Sequence, residues 1–162
     1  MLQNLSIEKI KIFENEFKQF MGIKDFPAYQ LTTKEVSLTI ADSCGFDSAA
    51  STFYSPKTNI HTLQISTNLI LSKYLVFHEF THILDADMYA NGDSTKYAGL
   101  SGYTEYHASQ IELMQLLGTK TATDKISFEM NTIISTFSGD KSVAQYIREK
   151  QEHAIQLFSR AD

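Results

Sequence analysis

The chain has 162 residues and a mass of 18.3 kDa, enough for one sizeable core and too little for two full-sized ones, so residues 1–162 are expected to form a single domain. Apolar residues make up 43% and charged residues 20%, and two prolines and seven glycines are too few for a disordered or collagen-like chain. A net charge of −5 without any basic block gives a nucleic-acid surface no electrostatic support, and the single cysteine, Cys44, excludes a disulfide-stapled scaffold and suits a reducing compartment.

The opening residues, MLQNLSIEKIKIFENEF, carry charges in every turn and lack an apolar run ending at a small-residue cleavage site, so no signal peptide is expected. Ile7, Ile10, Ile12, Phe13, Phe17 and Phe20 recur at roughly helical spacing, with Ser6 placed to cap the start and Gly22 to end it, which predicts an amphipathic helix. Between residues 34 and 66 the period changes to two. Val36, Leu38 and Ile40 alternate with polar residues, and 51–54 and 63–65 are short β-prone runs between turn signals, predicting three antiparallel strands. From 68 to about 91 the pattern is helical again, with Asn91-Gly92 as its stop. Three further helices are expected near 103–117, 124–137 and 141–160, broken by Gly118 and by Gly139-Asp140, with Asp140 capping the last. The outline is α+β, a small sheet followed by helices. The most apolar run, 69–77, is interrupted by Ser72 and Lys73 and falls far short of the roughly 20 residues of a membrane span. The expectation is a cytoplasmic protein with no membrane and no nucleic acid among its partners.

The helix expected over 68–91 contains His78-Glu79-Phe80-Thr81-His82, or HEFTH, which fits the HExxH pattern. Residues four apart share a helix face, so both imidazoles can reach one ion. Glu79 beside them suits a general base that takes a proton from a metal-activated water and passes it to the leaving amine. Five residues of pattern also arise by chance, so context has to carry the assignment. Here the motif lies inside a predicted helix, after the apolar run LILSKYLVF and the strand-like 62–66, which would hold substrate by strand addition if it stands at the sheet edge beside the cleft.

A catalytic Zn2+ wants a third protein ligand and leaves its fourth position to water. The residue six beyond His82 is Met88 and no HxxGxxH run follows, which excludes the metzincin pattern, and the inverted HxxEH pattern is absent too. That leaves an acid on the next helix, YTEYHASQIELMQLL, where Glu105 and Glu112 share a face about 10 Å apart along the axis, so that only one reaches the ion. His107, two positions from Glu105, points to nearly the opposite side and is expected at the surface or a hinge. Asp85 shares the stripe of His78 and His82, where it can accept a proton from a ligand imidazole or hold a turn. Tyr97 and Tyr103 flank a glycine-containing loop, 98–102, that can carry a phenol toward an oxyanion, with Tyr97 preferred. His61 is expected at the surface. His153, among Tyr146, Ile147, Ala154, Leu157 and Phe158, is expected to pack with the last helix on the core or on a second copy.

HEFTHILDADM followed by TEYHASQIELMQLL resembles the gluzincin arrangement of zincin metallopeptidases, in which the helix after HExxH carries a glutamate ligand. In particular it resembles the ImmA/IrrE-type metallopeptidases of phages, mobile elements and bacterial stress responses, whose second helix reads E-x-E-A-x-x-F-A-x-x-L-L. Laid on this chain, that pattern begins at Glu105, keeps Ala108, puts Ile111 at the aromatic position and ends on Leu116 and Leu117. The catalytic lobe of anthrax lethal-factor-like toxins, with its HEFGHxxD start, is a more distant likeness. Both registers imply Glu105 as the third zinc ligand. The likeness spans about 54–117, strong at HExxH and loose elsewhere. Ser109 and His107 stand where the family has Asn and an acid, and Glu112 where it has Ala, so the support behind the ligands, for which Asp85, Ser109 and Glu112 are the candidates, departs from the family, and Glu112 stays a reserve ligand.

The resemblance implies a zincin-like fold, with a small antiparallel sheet of about three strands packed on the HExxH helix. It further implies a zinc-dependent metallopeptidase acting on a protein or peptide, a regulatory protein of a phage or mobile element being the substrate it suggests. The alternative is a catalytically silent zincin-fold module for metal binding or interaction, against which the intact Glu79 argues. A toxin-like protease delivered to another cell is a third reading. Cleavage specificity and oligomeric state are open at this level.

Overall fold

A computed structural model describes residues 2–36 and 49–159. Helix α1 (Leu2–Met21) buries Ile10, Phe17 and Phe20, which fall on one stripe at i, i+7 and i+10, and leaves Ile12 facing solvent. Gly22, at φ 69°, ends it in the left-handed conformation that glycine adopts without strain.

The sheet that follows is mixed. Strands β1 (Tyr29–Lys34), β2 (Ala50–Ser55) and β3 (Ile60–Ser66) lie in the order β1-β3-β2, with β3 central. β2 pairs with β3 antiparallel, placing Tyr54 opposite His61, but β1 pairs with β3 parallel, placing Tyr29 opposite His61. This corrects the expected all-antiparallel sheet. Alternation reveals that a segment is a strand and which face it buries; direction depends on how the chain crosses between strands, which local pattern does not encode. The strand expected at Val36, Leu38 and Ile40 lies largely outside the described residues, and β1 precedes it. β1 ends before Val36, whose backbone N–H donates to Asn68 Oδ1 at 3.0 Å, while Leu38, Ile40 and Cys44 lie outside the described residues.

Helix α2 (Lys73–Asp85) carries HEFTH and continues as one π-helical turn (Ala86–Ala90) to Asn91 at φ 42° and Gly92 at φ 86°, the expected stop. Phe77 and Phe80 turn toward α1, with the Phe17 ring 5.2 Å from Phe77 and 5.4 Å from Phe80, and Phe26 5.1 Å from Phe80. Each such buried ring contributes about 1.5–3 kcal/mol. Pinning that face of α2 to α1 turns His78, Glu79 and His82 toward the other side, where β2 and the next helix meet.

Helix α3 (Ser94–Leu116) is capped by Asp93, whose Oδ1 accepts from the backbone N–H of Thr95 at 2.9 Å and of Lys96 at 3.0 Å. It therefore starts well before Tyr103, and 98–102, expected as a loop, is helical. Gly102 misled the sequence reading because its purpose is packing: a Cβ there would stand 2.5 Å from the Phe158 ring. No helix forms over 124–137. That stretch is irregular up to strand β4 (Ile133–Thr136), which pairs with β5 (Gly139–Ser142) in a hairpin, Gly139 turning the chain at φ 106°. The β-branched run Ile133, Ile134 and Thr136 favours the strand. Helix α4 (Val143–Phe158) is capped by Ser142, whose Oγ accepts from the Gln145 N–H at 3.2 Å; Asp140, the expected cap, instead accepts from Ser135 Oγ at 2.6 Å within the hairpin. The architecture is α+β, and no helix among the described residues is long and apolar enough to cross a membrane.

Candidate metal centre

His78 and His82, one turn apart on α2, bring their Nε2 atoms to 3.1 Å from each other. Glu105 on α3 faces both, with Oε1 3.7 Å from His78 Nε2 and Oε2 3.5 Å from His82 Nε2. One ligand atom from each of the three lies within 4.8 Å of the others. These residues can hold a metal ion.

The second nitrogen of each imidazole is also engaged. His78 Nδ1 lies 2.9 Å from Glu112 Oε2, and His82 Nδ1 lies 2.9 Å from Thr104 Oγ1. A partner at Nδ1 fixes the ring and leaves Nε2 free as a donor atom, so both rings present Nε2 to the same point. Glu112, two turns along α3 from Glu105, accordingly stands behind His78, and Glu105 faces the gap between the rings.

Lys150 and His153 complete the surroundings, and both come from α4. Lys150 Nζ lies 3.2 Å from Glu112 Oε2, the oxygen that also meets His78, and His153 Nδ1 lies 3.5 Å from Glu105 Oε1. His153, expected to pack with its helix on the core or on a second copy, lines the cleft with its side chain about half exposed. No motif marks this pair; the only sequence signal is that Lys150, His153 and Leu157 share one helical face at i, i+3 and i+7. Two contacts hold that face over the site: Tyr146 donates its hydroxyl to the Ser109 carbonyl at 3.3 Å, and Phe158 sits against Gly102.

Glu79 lines the same cleft. Its Oε2 accepts from Thr52 Oγ1 at 2.9 Å, which tethers the carboxylate to β2. Burial raises the Glu79 pKa above the ordinary carboxylate value, with His78 and His82 pulling against that rise. For His78, burial opposes ionisation, but hydrogen bonds to Glu105 and Glu112 outweigh it and push the pKa up to about 10. For Glu105 burial likewise opposes ionisation, and His78 and His82 overcome it, holding the carboxyl well below its usual range. The cluster thus attracts positive charge. With neutral imidazoles, Glu79, Glu105 and Glu112 against Lys150 leave two negative charges in excess, which a divalent cation would balance.

The remaining candidates fall elsewhere. Asp85 pairs with neither His78 nor His82; its carboxylate meets His107 Nδ1 at 2.9 and 3.1 Å, cross-linking α2 to α3, so His107 is not a free surface residue. Ser109 lies one turn beyond Glu105, and its buried Oγ has no hydrogen-bond partner among the described residues. Tyr97 lines a second cavity next to the cleft, its ring edge-on to Tyr54 at 4.9 Å, while the Tyr103 ring packs against Tyr89 and His107. His61 is buried rather than superficial, stacked on Tyr54 at 4.5 Å. Thr52 and Thr104 were invisible as site residues in the sequence, since a threonine acquires a role here only through the partner that packing brings to it.

A scan against protein-family models finds no match, and neither a search of curated proteins nor one of solved structures returns a relative.

Proposed function

We propose that the protein is a zinc-dependent metallopeptidase of the zincin type, in which His78, His82 and Glu105 hold the ion and Glu79 is the general base. The observation that carries this reading is the convergence of two imidazoles and one carboxylate on a single point, with Glu79 beside it and the fourth side open to the cleft. Two histidines and a glutamate suit zinc, and three protein donors with an open position are the mark of a catalytic rather than a structural site.

A zinc ion held there would supply Lewis acidity, polarising a carbonyl and making a water acidic near neutral pH. Glu79, tethered by Thr52 and with its basicity raised by burial, takes the water's proton and returns it to the departing amine. Glu112 and Thr104 keep the two imidazoles in the binding tautomer. The substrate-holding role expected for 62–66 passes to β2, because β3 is the central strand and, of the two edge strands β1 and β2 among the described residues, β2 is the one whose Thr52 reaches Glu79. An extended peptide adding to β2 runs past Thr52 and therefore past Glu79.

The order of a small sheet, the HExxH helix and a helix bearing Glu105 supports the ImmA/IrrE resemblance, and with it a regulatory protein of a phage or mobile element as the substrate. The test is Glu79→Gln, which keeps the shape of the side chain and removes its basicity. We expect cleavage of a peptide pool to fall by at least about 100-fold with zinc still bound. Proteolysis retained in that variant would overturn the general-base role.

A further inference from the structure

The cleft that holds His78, Glu79 and Lys150 does not end at the candidate metal centre. A second cavity of about 320 Å³ opens from it, and Thr52, His82 and Glu105 line both. Its depth is formed by Ile83 and Ala86 of α2 and the π-helical turn, by Leu100 of α3 and by Leu157 of α4, and the rings of Tyr54 and Tyr97 close one side. Apart from His82 and Glu105 at the mouth, no acidic or basic side chain among the described residues other than His61 lines it. Burial lowers the His61 pKa, with Asp87 opposing, which favours the neutral imidazole. An apolar cavity of about 150 Å³ is already large enough for benzene, so this one accommodates a phenyl, phenol or branched aliphatic side chain. Phe53, 57% exposed on the rim at the sheet edge, is an apolar surface that such a side chain would cover.

We propose that this cavity is a specificity pocket that receives a large uncharged side chain, aromatic or branched aliphatic, of the residue flanking the cleaved bond, an inference that rests on the peptidase reading above. The geometry ties the two together: a peptide whose carbonyl lies beside Glu105 and His82 has its neighbouring side chain at the mouth of a cavity bounded by those same residues. Charged side chains are disfavoured because the depth of the pocket, formed by Ile83, Ala86, Leu100 and Leu157, offers them no partner, Glu105 and His82 at the mouth being committed to the ion in the proposed site, and burying an unpaired charge there is unfavourable. Small side chains leave it unfilled.

Two readouts test it, one independent of catalysis. In the first, the uniformly labelled protein is titrated with N-acetyl-phenylalaninamide, -leucinamide, -lysinamide and -glutamamide, and amide chemical shifts are followed. The first two compounds are expected to shift the amides of Phe53, Leu100 and Ser101 and the charged pair to leave them unmoved. Ala98→Trp, on the exposed rim of the pocket, and separately Ser101→Trp are expected to abolish those shifts with zinc content and Tm retained. Equal shifts from lysinamide, or none from phenylalaninamide, would overturn the pocket. In the second, zinc-loaded protein digests a peptide pool. Cleaved bonds are expected to be flanked by Phe, Tyr, Leu or Ile, and either tryptophan variant is expected to lower kcat/KM for a Phe-flanked bond at least about tenfold relative to an Ala-flanked one. Cleavage indifferent to that residue would overturn the inference and leave the peptidase reading standing. Selective amide shifts without any cleavage would overturn the peptidase reading instead.

Discussion

At the scale of single residues, the site depends on one oxygen with two partners. Glu112 Oε2 meets His78 Nδ1 on one side and Lys150 Nζ on the other, so the carboxylate that orients the imidazole is itself neutralised by a lysine from another helix. The same network sets a pH dependence. Glu105 and Glu112 raise the His78 pKa to about 10, so in the metal-free protein this ring keeps its proton at pH 7, and the proton has to leave before Nε2 can bind an ion. Because the raised pKa favours the protonated, metal-free form, affinity falls as the pH drops and climbs as it rises toward that value. Calorimetric zinc titration at pH 7 in two buffers of different ionisation enthalpy is expected to show about one proton released per ion. Titrations with no difference between buffers would contradict the assignment. HEFTH was legible because its spacing is local. Thr104, Lys150 and His153 were not, because a lone threonine, lysine or histidine gains meaning only from what packs against it.

At the scale of elements, the site is built by the face of α2 that carries none of the candidate site residues. Phe77 and Phe80 interlock with Phe17 and Phe26, and that interlock decides the rotation of the helix and hence where His78 and His82 point. Phe80 is fully buried. Phe80→Ala is therefore expected to cost about 3–5 kcal/mol, read as a lower denaturation midpoint, and to weaken zinc binding although residue 80 touches no ligand. An unchanged midpoint would refute that role for the aromatic cluster. The sequence revealed α1, α2 and the strands β2 and β3 through their hydrophobic periods. It misplaced the start of α3 because Gly99 and Gly102 read as a loop, when Gly102 is small to admit Phe158. It missed the β4-β5 hairpin because four-residue strands offer too short a period to outweigh a helical reading. The parallel pairing of β1 with β3 was beyond reach, being a property of the crossover rather than of either strand.

At the scale of the whole molecule, four separated segments meet at one point. β2 supplies Thr52, α2 the imidazoles and Glu79, α3 Glu105 and Glu112, and α4 Lys150 and His153. Three carboxylates face one lysine there, and a divalent cation joining the cluster would balance it, so that metal binding and the arrangement of the helices would support each other. The measurement that tests this most directly is the zinc content of the purified protein after incubation with zinc and removal of excess, for the wild type beside Glu105→Ala and Glu112→Ala. About one zinc per chain is expected in the wild type. It is expected to be lost in Glu105→Ala and kept in Glu112→Ala with affinity reduced about 10- to 100-fold. A folded wild type that takes up no zinc, or a Glu105→Ala variant that binds it as tightly as the wild type, would contradict the account.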